Sequence, residues 1–282
     1  MAYHSLLVLL DQGPQCSARS QAAMRLAKAL DCHLQGVAPA DLRNKPVSAQ
    51  ATTLLSEQGV REDTPQHQAE QTAERFRKEC QAAGVKSFDA VIDQSDKASS
   101  FVHHAHYNDL TILTKADPDA SDHRATQDFL EHVVLHSARP TLILPYAGQF
   151  DTIGTIGTNV LVAWNDSREA ARALSDALPL LRLARHVHVV MWNEGGGDGE
   201  QPERLRFDAL HQWLTRHGVS ADVDVQTTEI GIVGSMLTRA DELKTDLIVM
   251  GAYGHRPSTA HMMGGTTRGF LAAIALPVLM SH

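Results

Sequence analysis

The chain has 282 residues, a formal net charge of −8 and 43% apolar residues. This length fits two domains of about 140 residues each. The acidic balance argues against a nucleic-acid or anionic-membrane partner, since such partners require basic surfaces. Because no apolar run approaches the roughly 18 residues of a membrane-spanning helix, no membrane span is expected.

The N-terminal sequence runs directly into the apolar segment Leu6–Leu10, without a basic region or a cleavage site that would mark a secretory signal. The three cysteines, Cys16, Cys32 and Cys80, all lie in the first half and lack the spacing of metal ligands. A sparse, odd set of cysteines suits a reducing compartment. The sequence therefore predicts a soluble, cytoplasmic protein.

Three histidines, His103, His104 and His106, form the densest histidine cluster of the chain. On a helix, positions 103 and 106 share a face, and such a pair can bind a metal ion. No cysteine or carboxylate at a suitable spacing completes a site, because Asp109 belongs to the start of the next strand. A solvated helix end is the favoured interpretation, and no metal site is predicted.

An internal repeat relates the two halves of the chain. Two segments recur at an offset of 137 residues, so that Asp109 matches Asp246 and Pro140 matches Pro277. The start of the chain, Leu6–Asp11, also matches Val160–Asn165. We interpret the chain as two tandem units of one domain type, at residues 1–146 and 157–282, with Ala147–Thr158 as the linker.

Short apolar runs alternate with amphipathic stretches in each unit. The second unit is predicted to contain the strands Val160–Trp164, Val187–Trp192, Asp222–Thr228, Asp246–Met250 and Val278–Met280. Its predicted helices are about Ser167–Leu183, Glu203–His217, Ile232–Leu243 and Thr266–Ala273. This alternation predicts an α/β fold in each unit, a doubly wound, Rossmann-like parallel sheet covered by helices on both faces. Ligands of such folds bind beyond the carboxyl ends of the strands, here the first and fourth.

A glycine-rich segment follows the apolar run Leu247–Met250 of the second unit. Its glycines show the spacing Gly-x2-Gly-x9-Gly, which is neither the P-loop nor the dinucleotide-binding pattern; they are Gly251, Gly254, Gly264 and Gly265. Glycines let a ligand approach the backbone, and amides at a helix start can receive phosphate oxygens together with the hydroxyls of Thr266 and Thr267. The alternative is a tight loop without a ligand, but this spacing after this strand favours a nucleotide.

The spacing resembles the ATP-binding signature of the universal stress protein family, and on it the chain is identified as a member over essentially its whole length. The resemblance implies two domains of the adenine nucleotide alpha hydrolase-like fold. It also implies ATP as the ligand, with or without Mg²⁺, and a role in the stress response. The family usually has Ser or Thr directly after the third glycine, whereas Gly265 takes that place here and the hydroxyls begin at Thr266.

The resemblance also implies a nucleotide site at the strand ends and glycine segment of the second unit. Asn165 replaces the family's usual Asp, and a mixed role in ligand contact and in the turn is expected for it. Trp192 matches a position that packs on adenine, although a place at the edge of the core is an equal alternative. The site residues are expected to be Ala163, Trp164, Asn165, Trp192, Met250, Gly251, Tyr253, Gly254, Gly264, Gly265, Thr266 and Thr267.

The first unit lacks the glycine pattern. At the offset of 137 residues its counterparts of the four glycines are Thr114, Asp117, Gln127 and Asp128. Two carboxylates would repel phosphates, and the side chains would obstruct the backbone. The first unit is therefore predicted to be degenerate, although Asp11 retains the residue type that faces the nucleoside in the family.

No catalytic arrangement is visible in the sequence, so a nucleotide-binding protein is expected rather than an enzyme, with at most slow ATP hydrolysis. The alternatives are an interaction scaffold that has lost nucleotide binding, and a related adenine-nucleotide enzyme. The two units are expected to pair within one chain as a pseudo-dimer through their last strands, and a homodimer is a further option.

Overall fold

The computed structural model describes residues 2–40, 64–147, 156–194, 200–252, 269–271, 273 and 275–282. Residues 2–147 are called the N-terminal half below, and residues 156–282 the C-terminal half. The described strands form one ten-stranded sheet in the order β3-β2-β1-β4-β5-β10-β9-β6-β7-β8. The two halves therefore meet at β5 and β10, in the middle of the sheet.

Each half alternates strands and helices along the chain. The N-terminal half contains β1 (Ser5–Leu9), α1 (Cys16–Leu30), β2 (His33–Pro39), α2 (Pro65–Ala83), β3 (Phe88–Asp93), α3 (Lys97–Ala105), β4 (Leu110–Thr114), α4 (His123–His136) and β5 (Thr141–Leu144). The C-terminal half contains β6 (Asn159–Ala163), α5 (Arg168–Leu181), β7 (His186–Glu194), α6 (Glu200–Arg216), β8 (Asp222–Thr228), α7 (Ile232–Glu242), β9 (Leu247–Gly251) and β10 (Val278–Ser281). All neighbouring strands are parallel except β5 and β10, which are antiparallel.

The structure confirms the predicted fold class, with strands and helices close to the predicted ranges. β8 has the predicted bounds, whereas α6 begins at Glu200 rather than Glu203. The predicted last helix lies partly outside the described residues; its residues 269–271 and 273 are described, and they are helical. Most of the predicted linker also lies outside them, and the domain bounds stay a prediction. In the part of the chain that is described, no helix has the length and apolar character needed to cross a bilayer.

Two apolar clusters cover the two faces of the sheet, and both extend through the two halves. Alternate residues of β1 point to opposite faces, so Leu6 and Val8 belong to one cluster and Leu7 and Leu9 to the other. The first cluster contains residues of α1, α2, α5 and α6, and its side of the sheet is called the α5 face. The second contains residues of α3, α4, α7 and the segment 269–271, and its side is called the α7 face.

A repeated aspartate fixes the first strand of each half. The Asp109 carboxylate accepts hydrogen bonds from the backbone N–H groups of His4, at 2.7 Å, and Ser5, at 3.1 Å. Asp246 accepts equivalent bonds from the N–H groups of residues 157–159, at 3.0 to 3.1 Å. The aspartate that recurs in the sequence therefore ties the start of β4 to β1 and the start of β9 to β6.

Candidate functional site

The carboxyl ends of β6 and β9 form the switch point of the C-terminal half. β6 lies between β9 and β7 in the sheet. The chain leaves β6 through α5 on one face and reaches β9 through α7 on the other face. Because the connections diverge at this point, a crevice for a ligand is expected between the two strand ends.

Six of the twelve predicted site residues lie at this edge of the sheet. In the strand register Ala163 is opposite both Met250 and Val190, which places the ends of β6 and β9 side by side, while β7 continues past them to Glu194. The structure thus brings together Ala163, Trp164, Asn165, Trp192, Met250 and Gly251 on three adjacent strands and the turn after β6. The other six, Tyr253, Gly254, Gly264, Gly265, Thr266 and Thr267, lie outside the described residues.

The described site residues divide between the two faces of the sheet. Ala163, Trp192 and Met250 pack in the cluster of the α7 face. Trp164 packs against the cluster of the α5 face, and Gly251 contacts the first turn of α5. A ligand on the α7 side of the crevice would therefore meet the first group, while Gly251 is already engaged with a helix.

Gly251 has a packing role that its place in a glycine motif did not predict. A Cβ atom at this position would lie 2.6 Å from the carbonyl carbon of Glu169 and 2.7 Å from the nitrogen of Ala170. Both atoms belong to the backbone of α5 and cannot move aside as a side chain would. The absence of a side chain at Gly251 is therefore required for α5 to pack on the end of β9.

The turn from β6 into α5 is held by two side-chain hydrogen bonds. Asn165 Oδ1 accepts from the Ser167 N–H at 3.3 Å, and Asp166 between them has a left-handed φ of 56°. Ser167 caps α5, since its Oγ accepts from the Ala170 N–H at 3.1 Å. The turn role of Asn165 and the capping role of Ser167 are present in the structure, and contact between Asn165 and a ligand stays a prediction.

Trp192 is a buried residue of β7, with 7% of its surface exposed. Its indole lies within the apolar cluster of the α7 face. A place at the edge of the core was the alternative to packing on adenine in the sequence analysis. Among the described residues, no group accepts a hydrogen bond from its Nε1–H. A buried donor without an acceptor is uncommon in proteins, and it marks a position where a ligand acceptor would be favourable.

Glu169, which the sequence analysis did not single out, places a carboxylate at the same strand end. Its side chain is buried in the first turn of α5 and is hydrogen-bonded to Arg168. Burial would raise the pKa of Glu169, but the hydrogen bond from Arg168 and the nearby positive charge hold that pKa below its usual value. The carboxylate is thus ionised at neutral pH, where it complements the positive end of α5.

The N-terminal half contains a buried cation at its own switch point. Arg19 of α1 is 4% exposed, and its guanidinium reaches the ends of both β1 and β4. It donates to Leu9 O at 2.9 Å, to Thr114 Oγ1 at 3.1 Å and to Asp11 Oδ1 at 2.8 Å. At the offset that matches Asp11 with Asn165, the C-terminal half has Ala173 in this place.

Asp11 is therefore committed to an internal ion-pair network. Besides Arg19, Lys97 Nζ lies 3.8 Å from Asp11 Oδ2 and 4.6 Å from the centre of the Phe129 ring. Burial would raise the pKa of Asp11, but the charges of Arg19 and Lys97 and the hydrogen bonds from Arg19 and Gly13 lower it. Sequence reasoning missed Arg19, because charged residues on a helix are usually exposed.

The first-half counterparts of the glycines make local contacts of their own. Thr114 bonds to Arg19, Asp117 Oδ1 accepts from the Asp119 N–H at 3.0 Å, and Gln127 donates to Glu131 at 3.1 Å. These contacts agree with a first unit that has lost the nucleotide-binding motif. That loss of binding stays a prediction.

The histidine cluster near α3 is engaged with separate neighbours. His104 lies 3.2 Å from Asp93, His106 is hydrogen-bonded to His136 O at 3.2 Å, and His103 contacts the Tyr107 ring edge-on. Among the described residues, no group of three or more potential metal ligands comes together.

Comparison with known proteins identifies the fold. Neither a protein-family model nor a curated protein matches the sequence. Among solved structures, a universal stress protein from Archaeoglobus fulgidus DSM 4304 superposes with a TM-score of 0.65 at 16% identity, covering 98% of this chain and 97% of that one. The chain has the universal stress protein fold.

Two structures from Pseudomonas aeruginosa agree with this assignment of the fold. A candidate universal stress protein from strain UCBPP-PA14 has a TM-score of 0.61 at 17% identity, covering 99% of this chain and 93% of that one. A protein of unknown function from strain PAO1 has a TM-score of 0.60 at 17% identity, with coverages of 99% and 92%. The universal stress protein fold thus extends over both halves of this chain.

The contact at Gly251 predicts a stability effect that is independent of any ligand. Gly251→Ala should lower the free energy of unfolding by about 1–3 kcal/mol, because its Cβ would overlap the backbone of α5. Urea unfolding without nucleotide measures this change. Gly269→Ala is the control, since a Cβ there meets no atom within 4 Å. A Gly251→Ala protein as stable as the wild type would contradict the packing role.

The Arg19 network predicts a stability effect in the other half. Arg19→Met should cost about 2–4 kcal/mol, because it leaves Asp11 and two further acceptors without their donor. Lys86→Ala, which breaks an exposed ion pair with Asp31, should cost less than about 1 kcal/mol.

The same variant predicts a change in the pH dependence of stability. Since the folded protein lowers the pKa of Asp11, the pair stabilises the fold above the ordinary aspartate pKa of about 4 and loses this contribution as the pH falls. Arg19→Met should therefore lose less stability in acid than the wild type does. Equal acid sensitivity in both proteins, measured by urea unfolding at several pH values, would argue against the ion pair.

Proposed function

We propose that the chain is a universal stress protein that binds ATP or another adenine nucleotide in its C-terminal half and acts in the cellular stress response by binding rather than by catalysis. The glycine spacing carries this proposal: Gly251-x2-Gly254-x9-Gly264 begins at the end of β9, at the switch point of the half. In open α/β sheets this is where nucleotides are bound.

Residues around the strand ends support an adenine nucleoside on the α7 side of the crevice. Ala163 and Met250 are opposite each other in adjacent strands and share an apolar cluster with Trp192. Apolar side chains next to the strand ends suit a flat, weakly polar ring that enters the crevice. The Trp192 indole N–H lacks an acceptor among the described residues, and an adenine ring nitrogen would supply one.

Two opposite charges at the same edge of the sheet affect how phosphates would bind. The first turn of α5 presents the positive end of a helix, but the buried Glu169 carboxylate offsets part of that charge. A triphosphate is therefore expected to depend on the amides and hydroxyls of the glycine segment, and on Mg²⁺ to reduce its charge. The carboxylate of Glu169 would also favour a ligand with bound Mg²⁺ over free ATP.

A second candidate function is that of an interaction scaffold without nucleotide. It is favoured by one observation, the contact between Gly251 and the backbone of α5, because this contact accounts for a glycine at the end of β9 without any ligand. Nucleotide that copurifies with the chain, identified by mass spectrometry after denaturation, would distinguish the two functions.

The difference between the halves predicts the stoichiometry of binding. Isothermal titration with MgATP should give one site per chain, because the N-terminal half has Arg19 at its switch point and no glycine spacing. Two equal sites would show that the N-terminal half also binds nucleotide, and no heat of binding together with no copurified nucleotide would favour the scaffold.

The place of the hydroxyls after Gly265 predicts a selective loss of phosphate binding. The double change Thr266→Val and Thr267→Val should weaken ATP at least about tenfold, since hydrogen bonds to charged groups are worth about 1.5–3 kcal/mol each. Adenosine, which has no phosphates, should bind this variant nearly as well as the wild type.

Thr238→Val is the matched control, because this threonine lies on α7 and its hydroxyl bonds to the helix backbone at Gly234 O. If adenosine and ATP weaken together in the double variant, the two threonines support the fold rather than the phosphates.

A further inference from the structure

Helix α5 connects the candidate site to the N-terminal half. Its first turn packs on Gly251 at the end of β9, and its body lies over β9 and β10. In the N-terminal half the equivalent helix, α1, packs on β1, β2 and β4 instead. α5 is therefore shifted toward the junction of the halves, where it contacts residues of the other half.

A series of hydrogen bonds connects Ala252, the residue after Gly251, to that other half. Ser281 is the neighbour of Gly251 in the β9–β10 register, and its carbonyl accepts from the Ala252 N–H at 2.8 Å. The Ser281 hydroxyl donates to the carboxylate of Asp176 on α5 at 2.9 Å. The backbone carbonyl of Asp176 in turn accepts from the Tyr3 hydroxyl at 2.5 Å.

Tyr3 is well placed to fix α5. Its side chain is buried, with 6% exposed, and burial together with the carboxylates of Asp176 and Asp109 raises the pKa of its phenol above the usual value. The hydroxyl thus stays protonated, and remains a donor, at neutral pH. A second bond crosses the junction where Arg172 donates to Ala138 O at 2.6 Å.

The connection is present on one side only. At the offset that matches Asp11 with Asn165, the first-half counterpart of Asp176 is Ala22, and the second-half counterpart of Tyr3 is Gly157. Neither has a side chain that can hydrogen-bond. The N-terminal half therefore supports the candidate site of the C-terminal half without a reciprocal contact of this kind.

We infer that Tyr3 is a positioning residue for the nucleotide site of the C-terminal half, acting through Asp176 and α5, an inference that rests on the proposed function. Without the Tyr3 hydroxyl, the carbonyl of Asp176 loses its hydrogen bond from the N-terminal half, and α5 is held less firmly against Gly251. The C-terminal site is then complete only when the N-terminal half is present and docked.

The test compares MgATP affinity in the full chain by isothermal titration for Tyr3→Phe and two controls. Tyr3→Phe should weaken MgATP about threefold, and at most about tenfold, because the free energy of one buried neutral hydrogen bond is the upper limit of the effect. Tyr107→Phe makes the same chemical change at a tyrosine that is 75% exposed, and it should leave affinity unchanged. Phe76→Leu destabilises the core of the N-terminal half without touching the network, and it reports any effect of global stability.

A readout without nucleotide accompanies the titration. Hydrogen exchange of the Ala252 amide, which bonds to Ser281 O, should be faster in Tyr3→Phe than in Tyr107→Phe or Phe76→Leu. Should Tyr3→Phe fail to fold, Ser281→Ala removes the next bond of the same chain and is expected to give the same two effects.

Each outcome supports or overturns the inference. Weaker MgATP binding and faster Ala252 exchange in Tyr3→Phe alone support it. Unchanged affinity in Tyr3→Phe, or an equal loss in Phe76→Leu, overturns it and leaves the proposed function intact. No MgATP binding by the wild-type chain overturns the proposed function, and this inference with it.

Discussion

The antiparallel pairing of β5 with β10 is the contact on which the rest of the structure depends. Its six paired residues, three from each half, are fully buried in the middle of the sheet. Without this pairing both strands would expose a hydrogen-bonding edge and an apolar surface. Helix α5, which lies over β9 and β10, would also lose the N-terminal residues that fix it. The geometry at Gly251 therefore depends on both halves of the chain.

The two halves have one fold but differ in the polar groups at their switch points. In the N-terminal half a guanidinium joins the ends of β1 and β4 and neutralises Asp11. At the offset that matches Asp11 with Asn165, the C-terminal half has Ala173 instead, and the end of β9 meets the first turn of a helix. The Arg19 guanidinium donates to three acceptors of its own half, whereas the C-terminal half retains an unpaired indole N–H among its described residues.

The sequence predicted the fold well, and the site only in part, for physical reasons. Strand β8 and the repeated aspartates were predictable because alternation and spacing are local signals. Gly251 was recognised, but a close helix and a close phosphate both require the absence of a Cβ, so the pattern did not separate them. The bond between Tyr3 and Asp176 joins residues 173 positions apart. A contact of this kind depends on where a helix packs on the sheet, and a short sequence pattern does not determine that position.

The outer strands of the sheet, β3 and β8, have a consequence for association between molecules. Among the described residues each has one edge without a partner strand, and each carries two aspartates: Asp89 and Asp93 on β3, and Asp222 and Asp224 on β8. A second molecule that added its outer strand to either edge would bring like charges together in a row. Such charges are a common protection against edge-to-edge aggregation. Repulsion between these aspartates would thus disfavour growth of the sheet into a fibre from either end.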